Sequence, residues 1–392
     1  MNTPKLPVQS VAEPELALNE TESILAQVQS DTTLYPEAWW PEEKTATSDA
    51  LRSSTPLLPE TYDVAQTAIS PQALSYGSII TSGDGFRYGY FACTDPNGTQ
   101  ITLSDTITPA EIPLHTMQGS VIQGHSTAND KFIVTSDYHH AMVDSILITG
   151  GGDNSVTLES KSLHWDKYSI HSQEQLDSLA TTNGHGFGMV NSSILAMDAN
   201  EGVGIRIKGA VGGVVGSHSP GATSVATSDN SDGILIEGIY NAIHKASIHA
   251  GGGDDYVLLE SLNGIPVSKS AVNLGDGNDT LEIMGLGWWT SENGYDVGFV
   301  NDSVILTGKG DDSITIYPSD GDFGKFYDYA ILDSHFILGE GNDTLDLYAQ
   351  NGGVMGNSSI ILEDYSGNSG DKNIILDSTL LYYSSISTSV VD

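Results

Sequence analysis

The groups in this chain best suited to chemistry lie in four pentapeptides: Gly251-Gly-Gly-Asp-Asp255, Gly275-Asp-Gly-Asn-Asp279, Gly308-Lys-Gly-Asp-Asp312 and Gly339-Glu-Gly-Asn-Asp343. A fifth, Gly150-Gly-Gly-Asp-Asn154, closes on an amide instead of a carboxylate. Glycine permits positive φ and leaves its carbonyl bare, while the closing aspartate supplies a hard anionic oxygen. Donor sets made only of oxygen, with no His or Cys in the turn, select calcium among the common biological metals. If such turns stack, their carboxylates lie above one another in a partly desolvated groove, where they must protonate, splay apart or share a cation. For a single copy, ordinary turn chemistry is the competing explanation, because Asn and Asp satisfy their own backbone through Asx hydrogen bonds. Four aligned copies in a chain of formal charge -37 favour the cation. Calcium is expected between Asp255 and Asp279 and between Asp312 and Asp343, and the Lys309 ammonium is a candidate to substitute for a cation.

The elements that must position these turns are legible around them. Each turn sits inside a block of two short apolar runs: Asp144 to Glu159, Lys245 to Glu260, Lys269 to Met284, Asp302 to Tyr317 and Asp333 to Tyr348. Three residues before the first turn glycine lie Leu147, Ile248, Val272, Ile305 and Phe336. Six after it lie Val156, Val257, Leu281, Ile314 and Leu345, and two further on Leu158, Leu259, Ile283, Ile316 and Leu347. The residues between those last two columns are Thr157, Leu258, Glu282, Thr315 and Asp346, mostly polar, so the run after the turn alternates with the period of a half-buried strand. A further column of small residues, Ser145, Ala246, Ser270, Ser303 and Ser334, suits a tight stack. The last four turns are 24, 33 and 31 residues apart (251 to 275, 275 to 308, 308 to 339), which is one coil per block. Stacked coils bury what no single hairpin can, so the pattern predicts a parallel solenoid of roughly ten rungs with its unequal spacings absorbed in loops. The long gap between the first two blocks is expected to hold degenerate rungs, for example at 191–195 and 233–236. An open sheet of hairpins is disfavoured by the long connections and the uniform columns.

From its second glycine onward, the nonapeptide Gly-Gly-x-Gly-x-Asp-x-U-x of the repeats-in-toxin (RTX) proteins, the hemolysin-type calcium-binding repeat, is matched by Gly275-Asp-Gly-Asn-Asp-Thr-Leu-Glu282 and Gly339-Glu-Gly-Asn-Asp-Thr-Leu-Asp346. The chain thus resembles that family over four good copies and one imperfect one, about a fifth of its length. The resemblance implies calcium held by closing carboxylates and glycine carbonyls, here Gly251, Gly253 and Asp255; Gly275, Gly277 and Asp279; Gly308, Gly310 and Asp312; and Gly339, Gly341 and Asp343. It also implies export from a Gram-negative bacterium by type I secretion through an uncleaved C-terminal signal. Two departures stand out: the family sets its nonapeptides in direct tandem, whereas each turn here is followed by a long detour, and Asn154 replaces the closing Asp of the first block.

Composition frames this reading. Among 392 residues, 51 acidic against 14 basic side chains exclude a nucleic-acid binder driven by phosphate contacts. No apolar run approaches the ~20 residues of a membrane span, the N-terminus lacks the apolar stretch of a secretory signal peptide, and the single Cys93 has no disulfide partner. Residues 1–76 hold no glycine and eight of the fourteen prolines, which sets an acidic Pro-rich arm, docked or disordered, before a body at 77–392. In the arm, residues 13–29 are expected to form one weak helix, and Trp39-Trp40-Pro41 is its other notable stretch. The Gly-x-Gly-x-Asp turns concentrate at 150–348, and residues 377–392, poor in charge, read as a secretion signal or as a last strand or cap.

Catalytic signatures are weak. There is no His-Glu-x-x-His zinc motif and no Gly-x-Ser-x-Gly elbow with a plausible triad, and His115, His139, His140, His164, His171, His244 and His249 are expected at loops or the surface. Cys93 is expected to be a buried or inert thiol. One constellation, Asn129-Asp130, Asp153-Asn154, Gly184-His185-Gly186 and Arg206-Ile207-Lys208, resembles the motif order of polygalacturonase-type glycosidases, which are right-handed β-helices. That resemblance implies aspartates such as Asp130 and Asp153 as acid and base of an inverting hydrolysis, His185 beside them, and Arg206 and Lys208 gripping a uronate carboxylate. Its first motif lacks a threonine, and Asn154 stands where a second aspartate belongs. The expectation is an all-β, right-handed parallel β-solenoid with a flexible N-terminal arm. Its calcium is structural, it has no catalytic role, and it is secreted or at the cell surface as an adhesion or interaction scaffold for a glycan or surface protein.

Overall fold

The computed structural model describes residues 78–82, 85–87, 89–93, 95–105, 115–161, 175, 186–196, 202–216, 223–285, 297–318, 328–348, 354–365, 372–376, 381–382 and 384–391. The arm at 1–76, with its expected helix and tryptophan pair, lies outside them. The named elements are all strands, gathered into three parallel sheets of eleven strands each. Within every sheet each strand pairs with the third strand after it in the chain, so one rung takes one strand from each sheet. This is a parallel β-solenoid of eleven rungs. The gap between the first two blocks contributes two of them, through Val203–Gly209 and Gly233–Gly238 of the first sheet. The C-terminal segment takes part as well: Leu381–Tyr382 and Ser385–Val391 are the last strands of the second and third sheets.

Periodicity in the sequence becomes register in space. In the first sheet Val156, Ile205, Ile234, Val257, Leu281, Ile314 and Leu345 lie directly opposite one another from rung to rung. The third sheet aligns Leu147, Ile194, Val225, Ile248, Val272, Ile305 and Phe336 in the same way. All fifteen apolar column residues of the five blocks are at most 2% exposed and share one core. Thr157, Leu258, Glu282, Thr315 and Asp346 face outward and are half-buried by their stacked neighbours. Each aliphatic side chain so buried contributes about 1.5–3 kcal/mol, and none can do so without the rungs above and below.

Three corners join the sheets. The corner from second to third sheet turns on one residue in the left-handed region: Asp144, Asn191, Lys245, Lys269, Asp302, Asp333 and Asn357 have φ between 45° and 50°. A bend this tight buries backbone donors, which need partners. The small-residue column supplies them. The N–H groups of Ser120, Ser145, Ser270, Ser303 and Ser334 donate to the hydroxyls of Ser145, Ser192, Ser303, Ser334 and Ser358 on the next rung at 3.0–3.1 Å. The hydroxyls of Ser145, Ser270 and Ser334 in turn donate to the carbonyls of Val143, Ser268 and Leu332, each at 2.7 Å. The corner from third to first sheet carries the glycine-and-aspartate turns.

Candidate metal centre

At that third corner the turns lie directly above one another. Gly275 is opposite Gly308 and Asp276 opposite Lys309, so even the turn runs as a short parallel ladder. Approach here is closer than any side chain allows: a Cβ on Gly275, Gly308 or Gly339 would meet the carbonyl oxygen of Gly251, Gly275 or Gly308 at 1.6–1.8 Å. Glycine is required because each turn lays its carbonyls against the next turn's backbone.

The closing aspartates form an inner ladder. The N–H groups of Asp232, Asp255, Asp279 and Asp312 donate to Oδ1 of Asp255, Asp279, Asp312 and Asp343 at 2.7, 2.8, 2.9 and 3.0 Å. Asp255, Asp279, Asp312 and Asp343 are 3, 1, 2 and 0% exposed. The second oxygen behaves differently: Oδ2 of Asp232, Asp255, Asp279 and Asp312 is buried with no hydrogen-bond partner. A buried, unpaired carboxylate oxygen is costly, and the acid responds by holding its proton or attracting a cation. Burial pushes Asp255 up to about 8, against its bond from Asp232 and with the charges of Asp279, Asp232 and Asp254 adding. Burial likewise raises Asp279 to about 6, with Asp254 and Asp276 adding, and Asp312 to about 7, with Asp343 and Asp279 adding and the Thr307 hydroxyl opposing. Asp232 is raised by burial too.

Two turns show what the unpaired oxygens lack. In the first block Asn154 takes the place of the acid: its Oδ1 accepts from Asp130 N–H at 2.7 Å, and its Nδ2 donates to the carbonyls of Gly150, Gly151 and Gly152 at 3.0–3.1 Å. In the last, Lys372 stands opposite Asp343 on the next rung, and its ammonium donates to Asp343 Oδ2 at 2.5 Å, to Gly341 O at 2.9 Å and to Gly339 O. By their place in the register, the lone Oδ2 atoms of Asp255, Asp279 and Asp312 correspond to the position that receives a nitrogen donor in those two turns. An electropositive centre bound through oxygen fits this donor set. Among the described residues no group of three or more His, Cys, Asp or Glu side chains converges, so a cation here would take its carboxylates one per turn and complete its shell with carbonyls.

An outer ladder runs beside the inner one. Asp254, Asn278, Asp311 and Asn342 alternate acid and amide, and the N–H groups of Asn278, Asp311 and Asn342 donate to the side-chain oxygen of the preceding rung at 2.7–2.9 Å. The alternation keeps exposed carboxylates two rungs apart. Lys309 belongs to this outer surface: it pairs with Asp276 at 3.0 Å with both side chains well exposed, so the ammonium at the carboxylate column is that of Lys372. The pair is worth little in stability because water screens it.

The turn glycines and aspartates singled out in the sequence are thus brought into one column. Asp130, Asn154, Asp232 and Lys372 extend it. The turn before Asp232 reads Ser228-Asp-Asn-Ser-Asp232, and the absence of glycine hid it. Residues of the glycosidase-like constellation are dispersed among other roles. Asp130 is buried, with Oδ1 accepting from Thr99 N–H at 2.6 Å and Oδ2 from His125 N–H at 2.5 Å. Asp153 is exposed on the outer edge of its turn. Arg206 and Lys208 lie on the outward face of the first sheet, paired with Glu237 at 2.8 and 3.4 Å. His185 lies outside the described residues, as do His164 and His171.

His115, His139 and His140 lie at loop positions outside the strands, as expected, but they are buried, and His244 is buried within the strand Asn241–His244. His115 and His140 stack with centroids 4.8 Å apart, His139 meets His115 edge-on at 6.0 Å, and Phe187 N–H donates to His140 Nδ1 at 3.2 Å, so ring packing and backbone bonding draw them inside. Cys93 is buried, and burial pushes its thiol up to about 12, with Asp130 adding, which leaves it protonated and inert. Among the described residues no helix is long and apolar enough to cross a membrane. No family model, curated protein or solved structure matches the chain.

Proposed function

We propose that this chain is a calcium-binding, RTX-like parallel β-solenoid that serves, outside the cell or at its surface, as a non-catalytic scaffold for adhesion or interaction. The observation that carries the calcium reading is the row of buried Oδ2 atoms without a hydrogen-bond partner at Asp232, Asp255, Asp279 and Asp312, the last three closing glycine-rich turns. Turn chemistry alone explains the glycines and the Oδ1 ladder, but it has no use for an acid whose second oxygen is orphaned. Calcium supplies what the column lacks: a hard divalent charge with a flexible shell of six to eight oxygens.

Export is proposed from the family resemblance, and the chemistry of the column is compatible with it. At low calcium the chain's 51 acidic groups oppose compaction, and at the millimolar calcium outside a cell the sites fill and stabilise the fold, by about 2.7 kcal/mol for each site at a hundredfold excess over its Kd. Type I secretion and a glycan or surface-protein partner are proposed from the family resemblance and the long outward faces.

Calorimetric titration of the full chain with calcium, paired with thermal melting in chelator and in millimolar calcium, tests the reading. Saturable binding with a rise in melting temperature is expected, and magnesium is expected to be a poor substitute. No binding heat and identical melting curves in the two buffers would overturn it.

A further inference from the structure

We infer that Lys372 is a built-in plug: its ammonium occupies the end position of the cation column, so that the corner at Asp343 is closed to metal and only the interior corners remain open. The inference rests on the calcium reading for what fills the interior, but the plug itself rests on the contacts of Lys372. Lys372 Nζ touches three oxygens of a single turn, Gly339 O, Gly341 O and Asp343 Oδ2. Its side chain is 9% exposed and that of Asp343 is fully buried. The corresponding atoms of the preceding turn are Gly308 O, which accepts from Glu340 N–H at 2.9 Å, Gly310 O and Asp312 Oδ2, and there Oδ2 has no partner.

Position in the register explains why a lysine is needed at this rung. Each interior turn is covered by the next, whose closing Asp supplies an acceptor for the N–H below it. Asp343 is covered by a rung whose residue in that position is Lys372, because Asn373 lies opposite Thr344 and donates from its N–H to Asp343 O at 2.8 Å. A sixth aspartate here would extend the like-charge column. A lysine ends it by placing a covalently tethered cation against the last carboxylate, where a point charge with three donors suits three converging oxygens.

On the opposite side the run of lone oxygens ends at Val203, which lies opposite Asp232 and brings no carboxylate. One rung further, Asn154 turns an amide nitrogen onto Gly150 O, Gly151 O and Gly152 O. The column is thus bounded by an apolar side chain and an amide at one end and an ammonium at the other. Its cation capacity is fixed by the fold and does not grow with the five glycine-rich turns in the sequence. Asp343, one of the carboxylates that the motif implicates as a ligand, is assigned to Lys372 instead.

The test compares the wild-type chain with Lys372→Met, Lys372→Arg and Asn154→Asp, counting sites by calcium calorimetry and by terbium luminescence. Lys372→Met and Asn154→Asp should each bind one more ion than the wild type, and Lys372→Arg the same number. Wild-type stoichiometry in both Lys372→Met and Asn154→Asp overturns the plug. If Lys372→Met does not fold, Asn154→Asp and Lys372→Arg still decide the count. A second readout separates this inference from the calcium reading. In chelator, Lys372→Met should melt below Lys372→Arg because the buried Asp343 carboxylate loses the counter-charge that Lys372 supplies. Equal melting of the two overturns the plug even if calcium binds, whereas a wild type that binds no ion, with the melting difference intact, overturns the calcium reading alone.

Discussion

The backbone N–H of Asp279 donates to Oδ1 of Asp312 at 2.9 Å, so neighbouring rungs are joined through one oxygen of a carboxylate whose other oxygen is buried with nothing to bind. The first oxygen is structural and common to an amide or an acid. The second distinguishes them, and most of the expected behaviour of this protein follows from it.

Asp279→Asn should keep the Oδ1 acceptor for Asp255 and turn an Nδ2 donor toward the turn carbonyls, as Asn154 does. Metal-free stability should rise by about 1 kcal/mol, since an orphaned group becomes a hydrogen-bonded one. The stabilisation by calcium should shrink. Urea unfolding in chelator and in millimolar calcium measures both, and a loss of metal-free stability would contradict the account of Oδ2.

Asp279→Ala differs from the amide because it removes the ladder acceptor and leaves Asp255 N–H unsatisfied in the interior. A loss of about 1–3 kcal/mol is expected with or without calcium. Comparing the two variants separates the structural oxygen from the binding one.

Stability in chelator should fall as pH rises. The carboxyls of Asp279, Asp312 and Asp255 titrate at about 6, 7 and 8 in the fold. Unfolded, each titrates near the ordinary value of about 3.9. Between those limits the folded chain holds more protons than the unfolded one, so this contribution is fully present below pH ~4 and is lost as pH climbs through ~6 to ~8. Saturating calcium should remove the decline, since the metal replaces the protons, and its apparent affinity should weaken on acidification. Melting temperatures from pH 5 to pH 8.5 in the two buffers check the sign.

Gly275→Ala should be among the most damaging single substitutions. Its Cβ would lie 1.6 Å from Gly251 O at a φ of +102°, and backbone cannot yield there without separating the rungs. A loss above about 3 kcal/mol is expected, from strain and overlap together. Gly204→Ala is the control: a Cβ there meets nothing within 4 Å, so the change should stay within about 0.5 kcal/mol.

Ser303→Ala removes the acceptor for the buried N–H of Ser270 at the opposite corner. About 1–2 kcal/mol should be lost irrespective of calcium, which distinguishes this ladder from the acidic one in the same melting experiment.

Much of this molecule was written in its sequence, because a solenoid turns local pattern directly into structure. Residues alternating with period two along Tyr256–Ser261 and Thr280–Gly285 had to face alternately in and out, and the equal column lengths between turn and strand forced register. The glycines announced close approach, and the closing aspartates announced a column of like charge. Tertiary structure decided what pattern could not carry. Asp232 lies in a turn without glycine, and Lys372 acts through a register position separated from Asp343 by 29 residues of chain. The burial of His115, His139 and His140 was not legible because ring stacking across rungs leaves no periodic trace. Whether a carboxylate oxygen is satisfied depends on which atom the next rung sets against it, a relation between residues distant in sequence that appears only once the coils are stacked.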